Sequence, residues 1–186
     1  MANCGRLPQK DSQLLEWKPM SRFSGQFSHS IDSKGRVSIP AKFRDVLREY
    51  YEDDKQLVVT LDEGFLVIYP RKEWAERINS IEQMSSLDNY VEDYKRNILS
   101  TAQDCAIDPQ GRILVPPELR ERAALREKVL YVGMIEYFEI WDRNAFLEQC
   151  ARATPKLRET KQLVSQELKR MKSEQEKRMK LEQEPR

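Results

Sequence analysis

The chain has 186 residues, of which 39% are hydrophobic and 34% are charged, and this suffices for one well-packed domain or two small ones. Its 32 basic and 31 acidic residues leave a net charge of +1, which argues against a polycation that coats DNA indiscriminately. A single histidine, His29, and three widely spaced cysteines argue against metal sites and disulfide frameworks. No apolar run approaches the roughly 20 residues that span a bilayer, so we expect a cytoplasmic protein with no cofactor, metal or membrane partner.

The chain begins with a stretch unlike the rest. We interpret residues 1–21 as a flexible N-terminal extension or as the result of a misjudged translation start, since they match no other part of the sequence. After them, Phe27, His29 and Ile31 alternate with polar residues and predict a strand. A tight turn and a short second strand at Val37–Ile39 are expected to follow.

The next predicted elements are a helix and a hairpin. Pro40 suits the entry to a helix, because its missing N–H costs little at that position, and the helix is expected over Ala41–Tyr50. Strands at Leu57–Leu61 and Phe65–Tyr69 flank Asp62–Gly64, whose aspartate and glycine are typical of a hairpin turn.

Helical spacings mark two further stretches. Apolar residues predict two connecting helices within Arg71–Ala102. Near the C-terminus, a heptad-like seam lies in sequence rich in Lys, Glu and Gln and fades by Gln175, which predicts a helix that frays into a solvated tail. The apolar members of this seam are Leu157, Val164, Leu168 and Met171.

The sequence contains an internal repeat. IDSKGRVSIPAKFR, residues Ile31–Arg44, returns 76 residues later as IDPQGRILVPPELR, residues Ile107–Arg120. The similarity continues from FLVIY to YFEIW, and a second hairpin is expected around Gly133. The chain is therefore predicted to contain two related repeats, residues 22–71 and 102–145, with connecting helices at 72–101 and a C-terminal helix and charged tail at 146–186.

Each repeat carries the same five-residue turn, Asp32–Arg36 and Asp108–Arg112. In both, the aspartate opens a type I turn and accepts backbone N–H bonds, while Gly35 or Gly111 supplies the left-handed conformation of a bulged hairpin. Because the arginine lies four residues after the aspartate, the two side chains are expected to pair and to fix the direction of the guanidinium. For Asp108 and Arg112, a purely structural role is an equal alternative.

Local charge distinguishes the two turns. Residues 20–48 contain six basic and two acidic side chains, a net charge of +4, whereas residues 106–126 contain four and three, a net charge of +1. Because attraction to phosphates scales with the positive charge near the duplex, the first repeat should dominate contact with DNA. A two-stranded ribbon ending in this turn fits the major groove, where arginine binds guanine bidentately. We add Lys42 and Arg44 to the site on charge alone.

Taken together, DSKGR, DPQGR, SIPAKFR, YPRKEW and YFEIWD resemble the MraZ family of bacterial transcriptional regulators with tandem SpoVT-AbrB domains, over residues 22–149. The resemblance implies a mainly β fold with peripheral helices (α+β), in which the two repeats combine as swapped hairpins into one pseudo-symmetric double-split β-barrel. It also implies a nucleoid-associated, ring-shaped homo-oligomer. This assembly would bind double-stranded DNA at short direct repeats upstream of its own division and cell-wall operon, as a repressor.

The resemblance also assigns residues to the DNA site. Carried over by position, Lys34 and Arg36 contact DNA, while Ser33 and Gly35 shape the turn. The second turn has Gln110 where the family has lysine, which weakens the case for a base-reading role there.

Two other classes of function compete with this interpretation. One is an AbrB-like protein-interaction or antitoxin-type module that holds a partner through its tail. The other is an enzyme in which Asp32 and Asp108 act as carboxylates, but turn chemistry accounts for both, and no P-loop, G-x-S-x-G or H-E-x-x-H pattern is present. We therefore expect no catalytic activity and no small-molecule substrate.

Overall fold

The computed structural model describes residues 22–84 and 89–182, with side chains up to residue 175. The extension predicted for residues 1–21 lies outside the described residues. The strands are β1 (Phe23–Ser30), β2 (Arg36–Ser38), β3 (Gln56–Asp62), β4 (Phe65–Pro70), β5 (Gln103–Ala106), β6 (Arg112–Leu114), β7 (Lys128–Ile135) and β8 (Phe138–Asp142). The helices are α1 (Ala41–Tyr50), α2 (Arg71–Glu82), α3 (Asn89–Leu99), α4 (Pro117–Arg122), α5 (Arg143–Ala153) and α6 (Leu157–Glu182), and a 3-10 turn at Thr154–Lys156 joins the last two.

Several of the predicted elements are confirmed. Helix α1 has the predicted bounds and begins directly after Pro40, and the equivalent helix α4 has Pro117 at its first position. Strands β3 and β4 form the predicted hairpin, which turns at Gly64 with a positive φ of 88°. Helices α2 and α3 occupy the stretch where two connecting helices were expected. Strand β2 begins one residue earlier than predicted, at Arg36.

The larger sheet is antiparallel and has the order β1-β7-β8-β4-β3-β5. This order is symmetric. In the sequence repeat, β1 is equivalent to β5, β7 to β3 and β8 to β4, so equivalent strands follow one another from each edge of the sheet to its centre. At the centre, Val67 of β4 pairs with Glu139 of β8, and these two are equivalent positions 72 residues apart. The two repeats are thus related by a pseudo-two-fold axis.

The edge strand of each repeat pairs with the other repeat. Strand β1 pairs along its whole length with β7, from Phe23 opposite Ile135 to Ser30 opposite Lys128, and β5 pairs with β3. The chain therefore forms one interlocked unit, in which neither repeat completes its own sheet.

The remaining strands, β2 and β6, form a second, two-stranded sheet across the same axis. Its middle pair is Val37 with Ile113, which are equivalent residues of the two repeats. Isolated bridges from Ile31 to Val37 and from Ile107 to Ile113 connect it to the ends of β1 and β5.

This arrangement corrects the predicted ribbon. We expected the two strands that flank each turn to form a ribbon with one another, but they share only a single bridge, between Ile31 and Val37 in the first repeat. The ribbon consists instead of β2 and β6, one strand from each repeat. The reason is that β1 finds a full-length partner in β7, and a longer ladder satisfies more backbone groups than a local hairpin does.

One hydrophobic core lies inside the sheets. Alternate residues of the strands face it, as the two-residue period of a strand requires, and α1 adds Phe43, which is fully buried. The ring of Phe43 contacts Phe23 and Phe138 at centroid distances of 5.3 and 5.1 Å. Burial of each such ring contributes about 1.5–3 kcal/mol. This core contains residues of both repeats and fixes α1, and with it the turn that precedes α1.

The hairpin expected around Gly133 is confirmed as the antiparallel pair β7–β8, but its turn lies three residues later than Gly133. Gly133 lies within β7, opposite Gly25 of β1, and the chain turns later, at Glu136 and Tyr137. A Cβ atom at Gly133 would lie 2.3 Å from the backbone nitrogen of Ser24. This glycine therefore permits close approach of two strands, which is the other common reason for glycine inside a strand.

The C-terminal helix is longer than expected. Instead of fraying by Gln175, α6 continues to Glu182. Good helix formers and ion pairs from Arg170 to Glu167 and Glu174 support it. Every described side chain from Leu157 to Gln175 is exposed. In the described part of the chain, no helix has the length and apolar character needed to cross a membrane.

The close approach at Gly133 predicts a steric effect on stability. Gly133→Ala should lower the free energy of unfolding by about 3 kcal/mol, the upper end of the range for overpacked sites, because the backbone must move to admit the methyl group. Gly64→Ala is the control: nothing lies within 4 Å of its Cβ position, so only its positive φ is strained, at roughly 1–2 kcal/mol. Urea denaturation of both variants measures the difference. Unchanged stability of Gly133→Ala would contradict the described β1–β7 register.

Candidate nucleic-acid interface

The first turn is organised by one carboxylate. Asp32 Oδ1 accepts hydrogen bonds from the backbone N–H groups of Lys34 and Arg36, both at 2.9 Å. Asp32 Oδ2 accepts from Nε and Nη2 of Arg36 at 2.8 and 2.7 Å. Gly35 has a φ of +82° and donates its N–H to the Asp32 carbonyl. Because two guanidinium nitrogens bind the same carboxylate oxygen, the directions that the guanidinium can take are limited.

The second turn repeats this geometry. Asp108 Oδ1 accepts from the backbone N–H groups of Gln110 and Arg112, and Oδ2 accepts from Nε and Nη2 of Arg112, all between 2.7 and 2.9 Å. Gly111 has a φ of +74°. One difference is that the Gln110 side chain accepts a further bond from Arg112 at 3.2 Å. The position equivalent to Gln110 is the exposed cation Lys34.

These hydrogen bonds stabilise the charged carboxylates. The backbone and side-chain hydrogen bonds from Arg36 hold the pKa of Asp32 at about 2, below its ordinary value of 3.8. For Asp108, desolvation raises the pKa, but the bonds from the backbone and side chain of Arg112 outweigh it, so the pKa is also lowered. Both turns therefore keep their ion pairs at neutral pH.

Each turn is also held by an arginine of the other repeat. A Cβ atom at Gly35 would lie 2.5 Å from Nη1 of Arg120, and one at Gly111 would lie 2.6 Å from Nη1 of Arg44. Because Arg44 and Arg120 are equivalent in the repeat, each guanidinium crosses the pseudo-two-fold axis and packs over the glycine of the opposite turn. A backbone hydrogen bond also joins the two repeats here, since Ile39 N–H donates to the Gly111 carbonyl at 2.9 Å.

The two residues that were assigned to the site on charge alone lie apart from the first turn. Arg44 lies against Gly111 of the second turn, and its charge adds to the effect of burial in lowering the pKa of His29. Lys42 donates a hydrogen bond from Nζ to Ser24 Oγ at 3.0 Å, beside the start of β1. Ser33 and Lys34 are exposed at the tip of the first turn.

The outward side chains of β2 and β6 form a small surface, which we call the ribbon face. It consists of Arg36 opposite Leu114 and Ser38 opposite Arg112. The side chains between them, Val37 and Ile113, are buried in the core. The two arginines of the turns therefore share one surface, at diagonally opposite corners of the ribbon.

Sequence reasoning missed Leu114. Its side chain is 52% exposed, although its neighbours Ile113 and Val115 are buried. The signal was present in the sequence, because a strand that places Ile113 and Val115 inward must place Leu114 outward. The run Ile-Leu-Val looked uniformly apolar, and the partner strand that fixes its faces comes from the other repeat.

Comparison with known proteins agrees with this architecture of two tandem units. Residues 22–97 and 98–181 each match the family described as "MraZ protein, putative antitoxin-like". The chain belongs to the MraZ family. Within the described ranges, no group of three or more His, Cys, Asp or Glu side chains is arranged to hold a metal ion.

Individual relatives match two thirds or more of this chain. A protein of Syntrophobacter fumaroxidans named transcriptional regulator MraZ is 41% identical over 124 residues, which cover 67% of this chain and 81% of the relative. Proteins of the same name from Shewanella frigidimarina and Syntrophotalea carbinolica are 38% and 39% identical. They cover 68% and 76% of this chain, and 84% and 95% of the relatives.

The ion pair of the first turn predicts a titration. In NMR, the Asp32 carboxyl should titrate with a midpoint of about 2, and Arg36→Ala should raise this pKa towards 3.8 without reaching it, because the backbone N–H bonds remain. Since the folded-state pKa lies below the unfolded value, the stabilisation is fully present above about pH 4 and is lost as the pH falls towards about 2. Arg112→Ala is the control and should leave the Asp32 midpoint unchanged. An unshifted midpoint in Arg36→Ala would show that the pair does not form.

Proposed function

We propose that this protein is a sequence-specific, DNA-binding transcriptional regulator. It acts as a repressor at short direct repeats of double-stranded DNA upstream of its own division and cell-wall operon. The observation that carries the proposal is the ribbon face, where two ion-paired and partly exposed arginines, Arg36 and Arg112, share one surface. The relatives named transcriptional regulator MraZ support the same class of function.

The dimensions of the ribbon suit the major groove. Paired strands lie about 4.8 Å apart, and a groove about 12 Å wide admits a two-stranded ribbon. Arginine is the side chain that best binds guanine through O6 and N7. The carboxylate of Asp32 orients Arg36 before DNA arrives, so less conformational freedom is lost on binding.

The two ends of the ribbon face are not equivalent in charge. Lys34 of the first turn corresponds to Gln110 of the second, and Lys42 corresponds to Glu118. Phosphate attraction grows with the number of cations near the backbone. The first turn, with Lys34 and Arg36 at the DNA and Ser33 and Gly35 shaping the loop, is therefore the principal contact. The second turn contributes its arginine and holds the opposite end of the ribbon.

The fold supports a closed barrel as part of the proposal. The bridges Ile31–Val37 and Ile107–Ile113 connect the two edges of the larger sheet to the β2–β6 pair, and this is the connection that a pseudo-symmetric, swapped-hairpin barrel requires. We further propose that several copies form a ring-shaped homo-oligomer. Each subunit then binds one repeat, and linkage of the sites multiplies weak contacts into strong overall binding. Such a protein acts in the cytoplasm at the nucleoid and catalyses no reaction.

The unequal turns give an unequal response to substitution. Arg36→Ala should abolish retardation of the DNA fragment upstream of the protein's own gene, whereas Arg112→Ala should weaken it less. Lys34→Gln, which gives the first turn the residue of the second, should lower the slope of log affinity against log salt by about one. Titrations by gel retardation at several salt concentrations measure all three.

Arg96→Ala is the matched control for these variants. Arg96 is exposed on α3 and paired with Asp93 three residues away, so the substitution removes the same charge from a helix outside the ribbon and should leave binding unchanged. Equal binding by wild type, Arg36→Ala and Arg112→Ala would refute the ribbon face as the DNA site.

A second candidate function rests on α6. Leu157, Val164, Leu168 and Met171 are each about half exposed and share one side of the helix, so α6 presents an apolar stripe. Exposed stripes of this kind mark protein contacts. The apolar stripe of α6 therefore favours a protein-interaction module, as in the antitoxin-type alternative, or a contact between copies within a ring.

The stripe predicts a change in assembly. Val164→Glu combined with Leu168→Glu should lower the molar mass in solution, measured by light scattering, because two carboxylates cannot be buried in an apolar contact. Gln162→Glu with Gln166→Glu adds the same charge to the opposite side of α6 and should leave the mass unchanged. If the stripe variant keeps the wild-type mass, copies do not associate through this helix.

A further inference from the structure

One side chain on the ribbon face does not fit an electrostatic contact with phosphates. Leu114 is exposed beside Arg36 on the adjacent strand, and Arg112 lies two residues before it on the same strand. Its backbone is fixed, since its carbonyl accepts a hydrogen bond from Cys105 Sγ at 3.3 Å and its neighbours are buried. The leucine is therefore held outward between two cations.

The repeat makes this position informative. The equivalent residue of the first repeat is Ser38, which lies opposite Arg112 in the same register as Leu114 lies opposite Arg36. The geometry of the two pairs is the same, so the backbone does not demand leucine. The fold is compatible with a small polar residue at position 38, so the fold does not explain the apolar residue at position 114. We therefore explain Leu114 by contact with a ligand.

We propose that Leu114 contacts the C5 methyl group of a thymine next to the base pair that Arg36 binds. This inference rests on the proposed function and adds a specificity residue to it. The thymine methyl is the one apolar group that a base presents in the major groove. Directly opposite residues in an antiparallel pair have Cβ atoms about 4.5–5.5 Å apart, which is comparable to the roughly 3.4 Å rise between base pairs. Arg36 and Leu114 are thus spaced to contact neighbouring base pairs, one polar and one apolar.

The proposal also predicts that the two ends of the ribbon read different sequences. Arg36 with Leu114 selects guanine beside thymine, whereas Arg112 with Ser38 lacks an apolar contact. A ribbon that is symmetric in backbone then binds an asymmetric site, which agrees with direct repeats rather than palindromes.

The test replaces thymine with deoxyuridine, which lacks only the methyl group. The DNA fragment upstream of the protein's own gene is prepared with either base, and affinities are measured by gel retardation. The wild type should bind the uracil fragment about three- to tenfold more weakly for each methyl contacted. Leu114→Ser, which gives the second repeat the residue of the first, should bind the thymine fragment more weakly than the wild type does and should not distinguish the two fragments.

Leu163→Ser is the matched control. Leu163 is an exposed leucine on α6, and its replacement should preserve the wild-type preference for thymine. Equal binding of both fragments by the wild type would overturn the proposal. So would a thymine preference that persists in Leu114→Ser, since that would show that the methyl group acts through DNA shape.

Two further outcomes separate this inference from other causes. A lower molar mass of Leu114→Ser in solution would overturn it, because Leu114 would then lie in a contact between copies. Failure of the wild type to bind either fragment would refute the proposed function itself, whereas binding without a thymine preference would refute only the role of Leu114.

Discussion

The three-residue pairing of β2 with β6 holds the ribbon face together. Its middle residues, Val37 and Ile113, are buried in the core, and its ends carry the two turns. Each turn is closed by its own aspartate and covered by an arginine of the other repeat, Arg120 over Gly35 and Arg44 over Gly111. Since the β2–β6 pairing and the two covering arginines need both repeats, the ribbon face exists only when both repeats have folded.

Local features of the fold could be predicted from the sequence because they depend on local chemistry. The aspartate and glycine of each turn determine its conformation, and Pro40 determines where α1 begins. The repeat itself indicated two equivalent units. Gly133 shows the limit of this reasoning: glycine serves both turns and close strand contacts, and only the position of Ser24 on the neighbouring strand distinguishes them.

Features that depend on long-range pairing could not be predicted. The alternation in β1 indicated a strand but not that its partner would be β7, about a hundred residues away. For the same reason, Arg44 was added to the DNA site on charge alone, and its contact with the second turn was not predicted. Leu114 was missed because the run Ile-Leu-Val is uniformly apolar, and the strand that shows which face of this run is buried belongs to the other repeat. In each case the side-chain chemistry was evident, and the position of the side chain was not.

The structure combines a symmetric backbone with unequal side chains. The two turns have matching hydrogen bonds, yet one presents Lys34 and the other Gln110, and one strand presents Ser38 where the other presents Leu114. Duplication of a folding unit followed by divergence at exposed positions accounts for this, since exposed substitutions change stability little. The core preserves the shape of the ribbon, and in the proposed function the outward residues determine what it binds.

Photo-crosslinking from the ribbon face is the most direct test of this account. A photoreactive amino acid is placed at Ser38, on the ribbon face opposite Arg112, and in a second variant at Gln162 on α6. Both proteins are irradiated with the DNA fragment upstream of the gene. We expect crosslinks to DNA from position 38 and none from position 162. Crosslinks from position 162 with none from position 38 would contradict the central claim, because DNA would then contact the C-terminal helix and not the β2–β6 ribbon.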